Sequence, residues 1–388
     1  MDDTHVNEFF NQTRLLSESS GFSELVSRIA HHCAGMAEPP DAPVVTTIDP
    51  NDQMLLHSVA GHRDAGAALA QYHSIGIQQH ALLSQIIRLT RKGQDTLRVL
   101  DFACGHGRGL RFMTAGLKNI ELHASEIQLD ALDFIERELG IDTIASTTHP
   151  SDFKHEGDFD LIWAASLFSH LPAELFAPWL EKLLSMLTPT GVLCFSTKPM
   201  GDAVPDADGL QFVGESEVTP LDADSYGTTH VSGNYVEQLV RRYRQDLTCV
   251  RLERCLAHEQ DLYLVSGDAS LDLPSIKNKL VRGAWGWLDV RKADTHGKLT
   301  LEGWAVSFDE SHPLNHVRIA LGGNEFQIST GIPRPDVAEA FGRPDFANCG
   351  WRCELRIDAP DSSNLTVLAE TDAYWHLIYF GPLASLTG

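Results

Sequence analysis

The stretch with the most nameable chemistry is Arg98-Val-Leu-Asp101-Phe-Ala103-Cys-Gly105-His-Gly107-Arg-Gly109. A short apolar run ends on an acid and passes into glycines at alternate positions. Glycines there let main-chain N–H groups approach a ligand closely at the C-terminal edge of a sheet, where α/β proteins hold nucleotides. That geometry alone does not choose the ligand. A dinucleotide fingerprint requires glycine at position 110, and the residue is Leu110. An acid at Asp101, ahead of Gly105, is instead what a cationic aminoacyl group wants. A second acid, Glu126, ends the next apolar run about 20 residues further on, where a carboxylate accepts hydrogen bonds from ribose hydroxyls.

These residues need a frame that lines up strand ends. Leu97–Phe102, Ile120–Ala124, Thr143–Ser146, Phe159–Ala165 and Gly191–Ser196 read as strands, with helical patterns between most of them. The alternation predicts a parallel sheet covered on both faces. A helix at Asn234–Arg244 and two successive strand-like runs, Thr248–Cys255 and Asp261–Val265, predict an antiparallel pair at one edge. Residues 198–231 lack periodicity, and a loop of that length in a compact domain is usually functional or disordered. Helical patterns precede the sheet. From Trp285 the pattern turns to short β-like runs separated by turns, which predicts a sandwich. The expected division is a helical region 1–94, a sheet domain 95–267, a linker 268–283 and an independently folding β-sandwich-like domain 284–388.

Composition narrows the function. The chain has 388 residues, more than one core usually organises. Its 53 acidic and 30 basic side chains give a net charge of −23, which leaves no basic surface for nucleic acid or anionic membranes. No apolar run reaches the ~18 residues of a membrane span. The N-terminus lacks the features of a signal peptide. Seven cysteines, an odd number without a CxxC pair, read as reduced thiols in the cytoplasm. No metal-ligand spacing is present. A small molecule or glycan is the expected partner, and a homodimer is compatible with the sequence.

Several further segments follow in a fixed order: Glu126, Ser151-Asp152-Phe153, Phe159-Asp-Leu-Ile-Trp-Ala-Ala165-Ser-Leu-Phe-Ser-His170, and Leu187-Thr-Pro-Thr-Gly191. With Val99–Gly107 ahead of them, roughly residues 95–266 resemble the class I S-adenosylmethionine-dependent methyltransferases. The resemblance implies a Rossmann-like seven-stranded α/β sheet of order 3-2-1-4-5-7-6, strand seven antiparallel. It implies S-adenosylmethionine as cofactor and S-adenosylhomocysteine as product. Asp101 then holds the methionine amino end within the loop of Ala103, Gly105 and Gly107, and Glu126 holds the ribose. Ile127 and Phe153 bracket adenine, Asp152 sits near its amino group, and Ala165 lines the loop after strand four. Tyr72, in Gln71-Tyr-His-Ser-Ile-Gly76, resembles a segment that packs against the cofactor pocket in related bacterial enzymes. Ala103 stands where the family usually has glycine, so a slightly altered turn is expected.

Transfer of a sulfonium methyl is an in-line displacement that needs alignment and, for a hydroxyl acceptor, proton removal. His170 and His230 are the candidate bases, and residues 198–231 the expected cover, with Asp202, Asp206, Asp208, Asp222 and Asp224 available to polyol hydroxyls. Gly303-Trp-Ala-Val306, Thr330–Ala338 and Asn348-Cys-Gly-Trp351 resemble a β module attached to bacterial polysaccharide-locus glycosyltransferases and methyltransferases. That makes a sugar or glycan hydroxyl the first expected acceptor and another small metabolite the second. A glycan-binding or assembly protein with a vestigial cofactor domain is the alternative of a different class. Trp285, Trp287, Trp304, Trp351 and Trp375 are read as sandwich core ahead of sugar platforms.

Overall fold

The computed structural model describes residues 3–35, 43–62, 64–91, 93, 95–155, 157–201, 209–214, 223–294, 297–356 and 363–383. Packing divides the chain into two units, Leu82–Leu280 and a second built from Met1–Ala81 together with Val281–Gly388. Four helices come first: α1 (Asp3–Ser17), α2 (Phe22–Cys33), α3 (Gln53–His62) and α4 (Ala65–Thr90). In α2, Phe22, Leu25, Val26, Ile29 and Cys33 recur at helical spacing and are all buried.

The contiguous unit is a sheet with helices. Its elements are β1 (Leu97–Phe102), α5 (Leu110–Gly116), β2 (Ile120–Glu126), α6 (Leu129–Phe134), β3 (Asp142–Ala145), β4 (Phe159–Ala164), α7 (Ala173–Ser185) and β5 (Leu187–Pro199). Then come β6 (Leu210–Val213), β7 (Thr228–Val231), α8 (Gly233–Tyr243), β8 (Thr248–Leu256), β9 (Gln260–Ser266) and α9 (Leu273–Lys277). Strands β3-β2-β1-β4-β5 run parallel, and β9 joins β5 antiparallel with β8 outside it. This is the expected 3-2-1-4-5-7-6 arrangement, with β9 and β8 as the seventh and sixth strands. One face packs Leu100, Phe102, Phe168, Phe176, Trp179 and Phe195, the other Ile86, Val99, Leu110, Phe134, Trp163 and Leu264.

Two expectations change here. Residues 198–231 are not a plain loop: β6 and β7 form an antiparallel hairpin, and β7 pairs in parallel with the end of β5 through Lys198↔His230 and Pro199↔Val231. Four-residue strands are too short to leave a readable alternation. The expected linker holds α9, capped by Asp272 accepting from Ser275 N at 3.1 Å, and it buries Leu273, Ile276 and Leu280 against the sheet.

The second unit adds β10 (Ala284–Ala293), β11 (Lys298–Ser307), β12 (His316–Leu321), β13 (Asn324–Ile328), α10 (Pro335–Phe341), β14 (Gly350–Arg356), β15 (Asn364–Glu370) and β16 (Trp375–Pro382). They form two antiparallel sheets, β10-β11-β14 and β13-β12-β15-β16. A bulge between Leu288 and Val290 interrupts the alternation that would have revealed β10. These strands do not make their core alone. Phe22 of α2 packs on Phe380 (centroids 4.7 Å apart), and Cys33 Sγ donates to Trp375 O at 3.3 Å. Ser74 Oγ donates to Leu377 O at 2.9 Å, and Asp64 pairs with Arg291 at 2.7 Å. At Gly66 a Cβ would lie 2.7 Å from Phe380 O, so α4 touches the backbone of β16.

The tryptophans are engaged in this packing. Trp351 is buried, Trp287 stacks on His62 at 4.2 Å, Trp285 lies 4.4 Å from His376, and Trp304 meets Phe341 edge-on. Trp375 stacks on His32 at 4.2 Å and receives the Arg318 guanidinium at 5.2 Å. No helix among the described residues is long and apolar enough to cross a membrane. All seven cysteines are free thiols.

Candidate functional site

The loop after β1 turns through three residues with left-handed backbone: Ala103 (φ +57°), Gly105 (φ +55°) and Gly107 (φ +73°). Ala103 takes a conformation that costs an L-residue about 1–2 kcal/mol. A Cβ at Gly105 would meet nothing within 4 Å, so the space above its backbone is open. A Cβ at Gly107 would lie 2.9 Å from Leu139 Cδ1, in the π-helical turn Ile135–Leu139 that extends α6.

Glu126 fastens this loop. Its Oε2 accepts from Gly105 N at 2.8 Å, and Oε1 from Ile127 N at 2.7 Å and Gln128 N at 3.2 Å. The crossing of β1 onto β2 is further tied by Cys104 N donating to Ser125 O at 3.2 Å. Asp101, on the neighbouring strand, is only 4% exposed. Its carboxyl has no hydrogen-bond donor among the described residues, and burial, then repulsion from Glu126, pushes its pKa up to about 8.

Ile127 follows Glu126 directly and is half-buried, and Ala165 is half-buried after β4. Asp152 is exposed. Phe153 is buried in the core, edge-on to Phe102 and Trp179, with the Lys182 ammonium over its ring. Its ring is therefore held by the protein's own side chains. Tyr72 lies in the unit formed by the two chain ends, fully buried, with its hydroxyl donating to Asp52 Oδ2 at 2.5 Å. Asp202, Asp206, Asp208 and Asp222 lie outside the described residues.

Both candidate bases are held the same way. His170 Nδ1 donates to Gly227 O at 2.7 Å, and His230 Nδ1 to Pro199 O at 2.9 Å. A carbonyl only accepts, so Nδ1 is the donating nitrogen of each imidazole, and in the neutral ring Nε2 is then the acceptor. His170 also stacks flat on Tyr226 at 4.6 Å. Sequence reasoning passed over a polar knot beside them. Ser166, left-handed at φ +65°, donates its N–H to Ser196 Oγ at 2.7 Å, and Ser196 Oγ donates to Gln260 Oε1 at 2.6 Å. Ser166 O then accepts from Ser169 Oγ at 2.7 Å, fixing the turn that leads to His170. No motif signals this; it needs β9 to arrive beside β5. A groove of about 520 Å³ along α7, lined by His149, Glu174, Lys182 and Tyr243 among others, holds none of the predicted residues.

The strand order, the glycine loop and the acid ending β2 define the Rossmann-like sheet of methyltransferases. In agreement, residues 100–193 match the methyltransferase domain family. No curated protein matches the chain. Among solved structures, it is similar to a DhpI–SAH complex at 15% identity (56% of this chain, 97% of that one, TM-score 0.36). The CurJ carbon methyltransferase shares 14% identity (66% and 70%, TM-score 0.38). A TehB-like SAM-dependent methyltransferase from Corynebacterium glutamicum shares 15% (49% and 86%, TM-score 0.33). The likeness to the methyltransferase domain family is thus carried by residues 100–193.

Proposed function

We propose that the chain is an S-adenosylmethionine-dependent methyltransferase acting on a hydroxyl of a small, sugar-like acceptor. The observation that carries this is Asp101, a buried acid without a donor beside a glycine loop with open space above it. Such an acid wants a cation that brings its own N–H groups, as an α-ammonium does. The three main-chain bonds to Glu126 use part of the roughly four lone-pair sites of a carboxylate, so it can still accept from ribose hydroxyls. Ile127 offers an apolar face to adenine. With Phe153 committed to the core, the adenine clamp assigned to it is dropped. When bound, the cofactor supplies an electrophilic sulfonium methyl.

The chain's remaining work is to align the acceptor and take its proton. His170 or His230, each with Nε2 the acceptor in the neutral ring, does the latter, and this favours oxygen as the acceptor atom. The sugar-like acceptor rests on the resemblance of roughly residues 284–380 to polysaccharide-locus modules and not on the tryptophans, which are engaged in packing. Seven free thiols suit a reducing compartment, and we assign the protein to the cytoplasm on that chemistry.

Calorimetry with S-adenosylhomocysteine tests the cofactor. Asp101→Asn and Glu126→Gln should each weaken binding by about 1.5–3 kcal/mol; unchanged affinity, or tighter binding of NAD by the parent, overturns the assignment. Methyl transfer to a panel of free and nucleotide-linked sugars tests the acceptor. Replacing the true base by Ala should cost roughly 10²–10⁴ in turnover without changing cofactor affinity. If His170→Ala and His230→Ala both keep the parental rate and pH profile, neither is the base.

A further inference from the structure

We propose that Lys198 and Gln211, which flank His230 on adjacent strands, bind an oxyanion of the acceptor, so that the substrate carries a carboxylate or phosphate near the hydroxyl that is methylated. This rests on the reading of methyl transfer given above and deepens it.

The register places the three residues in one row. Lys198 of β5 pairs with His230 of β7, and His230 pairs with Gln211 of β6. In-register neighbours carry their side chains on the same face of a sheet. The burial pattern agrees: Thr229, Val231 and Leu210 are buried on the core side, while Lys198, His230 and Gln211 are half-buried on the other. With strands about 4.8 Å apart, Lys198 and Gln211 stand roughly 10 Å from each other with the imidazole between them. Ser196, on the same face two residues before Lys198, leads back to the Ser166 turn and His170.

Charge is the telling part. The Lys198 ammonium makes no ion pair and no hydrogen bond with any described side chain, although the chain carries 53 acids against 30 bases. The buried acid nearest in register, Asp261, is already taken by Arg251 at 2.7 Å. A half-buried ammonium without a counter-charge loses hydration and gains nothing in return unless an anion arrives. Gln211 adds an amide donor of fixed length on the far side. A lysine and an amide around a histidine suit an anchored oxyanion next to a hydroxyl that must lose its proton.

The full chain, saturated with S-adenosylhomocysteine and held at constant ionic strength, should be titrated with glycerol 3-phosphate, glycerate and glycerol. The anions should bind at least about tenfold tighter than glycerol, and the tighter of the two names the source of the oxyanion. Lys198→Met should abolish the preference, Lys198→Arg should keep it within about threefold, and Gln211→Leu should weaken it by about threefold. Lys277→Met, at an exposed lysine of α9, serves as the control and should change nothing. The proposal is overturned if glycerol binds as well as the anions, or if Lys198→Met binds them like the parent, as it must if an acid of the chain itself holds the lysine. S-adenosylhomocysteine is titrated separately: if it fails to bind while the anion preference survives, the methyl-transfer reading falls and the oxyanion row stands.

Discussion

In the unit of residues 82–280, β1 pairs with β2, which begins at Ile120, and Gly105 reaches Glu126 across 21 positions. In the other unit, Cys33 meets the backbone of Trp375 across 342. Both bury apolar faces, but one does so with near neighbours and the other by joining the two ends of the chain. The first kind of packing leaves its record in a local pattern of glycines, acids and strand spacing. The second leaves none, because nothing in Phe22 or Gly66 announces that Phe380 will arrive.

The largest effect that would test this contrast is removal of residues 281–388. If α1 to α3 depend on β16, the shortened chain exposes Phe22, Leu25 and Ile29 and should aggregate on size exclusion. A soluble, monomeric and cofactor-binding product would show that the ends do not need each other. Gly66→Val asks the same with one side chain. A branched side chain 2.7 Å from Phe380 O should cost about 1–3 kcal/mol or more in denaturant unfolding and leave S-adenosylhomocysteine affinity near parental.

Asp101→Asn probes the contiguous unit. With its pKa raised from 3.8 to about 8, the native carboxyl stays protonated over a range where the unfolded one is ionised. Its contribution to stability is complete below the unfolded value and is lost as pH rises toward 8. Without ligand, the asparagine variant should therefore be more stable than the parent at pH 7.5, by about 1–3 kcal/mol, while binding the cofactor more weakly. Parental affinity should climb with pH toward 8, as the ionised form that pairs with an ammonium becomes available, and the variant's should stay flat. Equal slopes would remove Asp101 from the ammonium site.

The smallest effect is expected at Ala103. Glycine there relieves about 1–2 kcal/mol of left-handed strain but costs about 0.5–1 kcal/mol of chain entropy. Ala103→Gly should thus stabilise by about 0.5–1 kcal/mol, and a measured loss would mean that the methyl group packs usefully.

The same contrast explains what the sequence could reveal. That Asp101, Gly105, Gly107 and Glu126 come together at one strand end was readable because their spacing follows one βαβ turn, and the order of the sheet came with them. Phe153 shows the limit of that reading, because a core aromatic and a ligand-facing one look alike in sequence and its packing on Phe102 and Trp179 appears only in the fold. Tyr72 was assigned by analogy of a short segment, and the bond from its hydroxyl to Asp52 had no signal in that segment. Hairpin β6–β7, and with it the row through Lys198, His230 and Gln211, was hidden by short strands within a polar stretch.

A unit assembled from both termini also sets a timetable. On the ribosome, Phe22 and Ser74 emerge long before Phe380 and Leu377, their partners, with roughly 300 residues still to be made. At about 5–20 residues per second that is some 15–60 s during which the leading helices have no mate. The sheet of residues 82–280 can close within that interval, so it is the natural first product of synthesis. The helices α2 and α4 then lack these partners until β16 has been released.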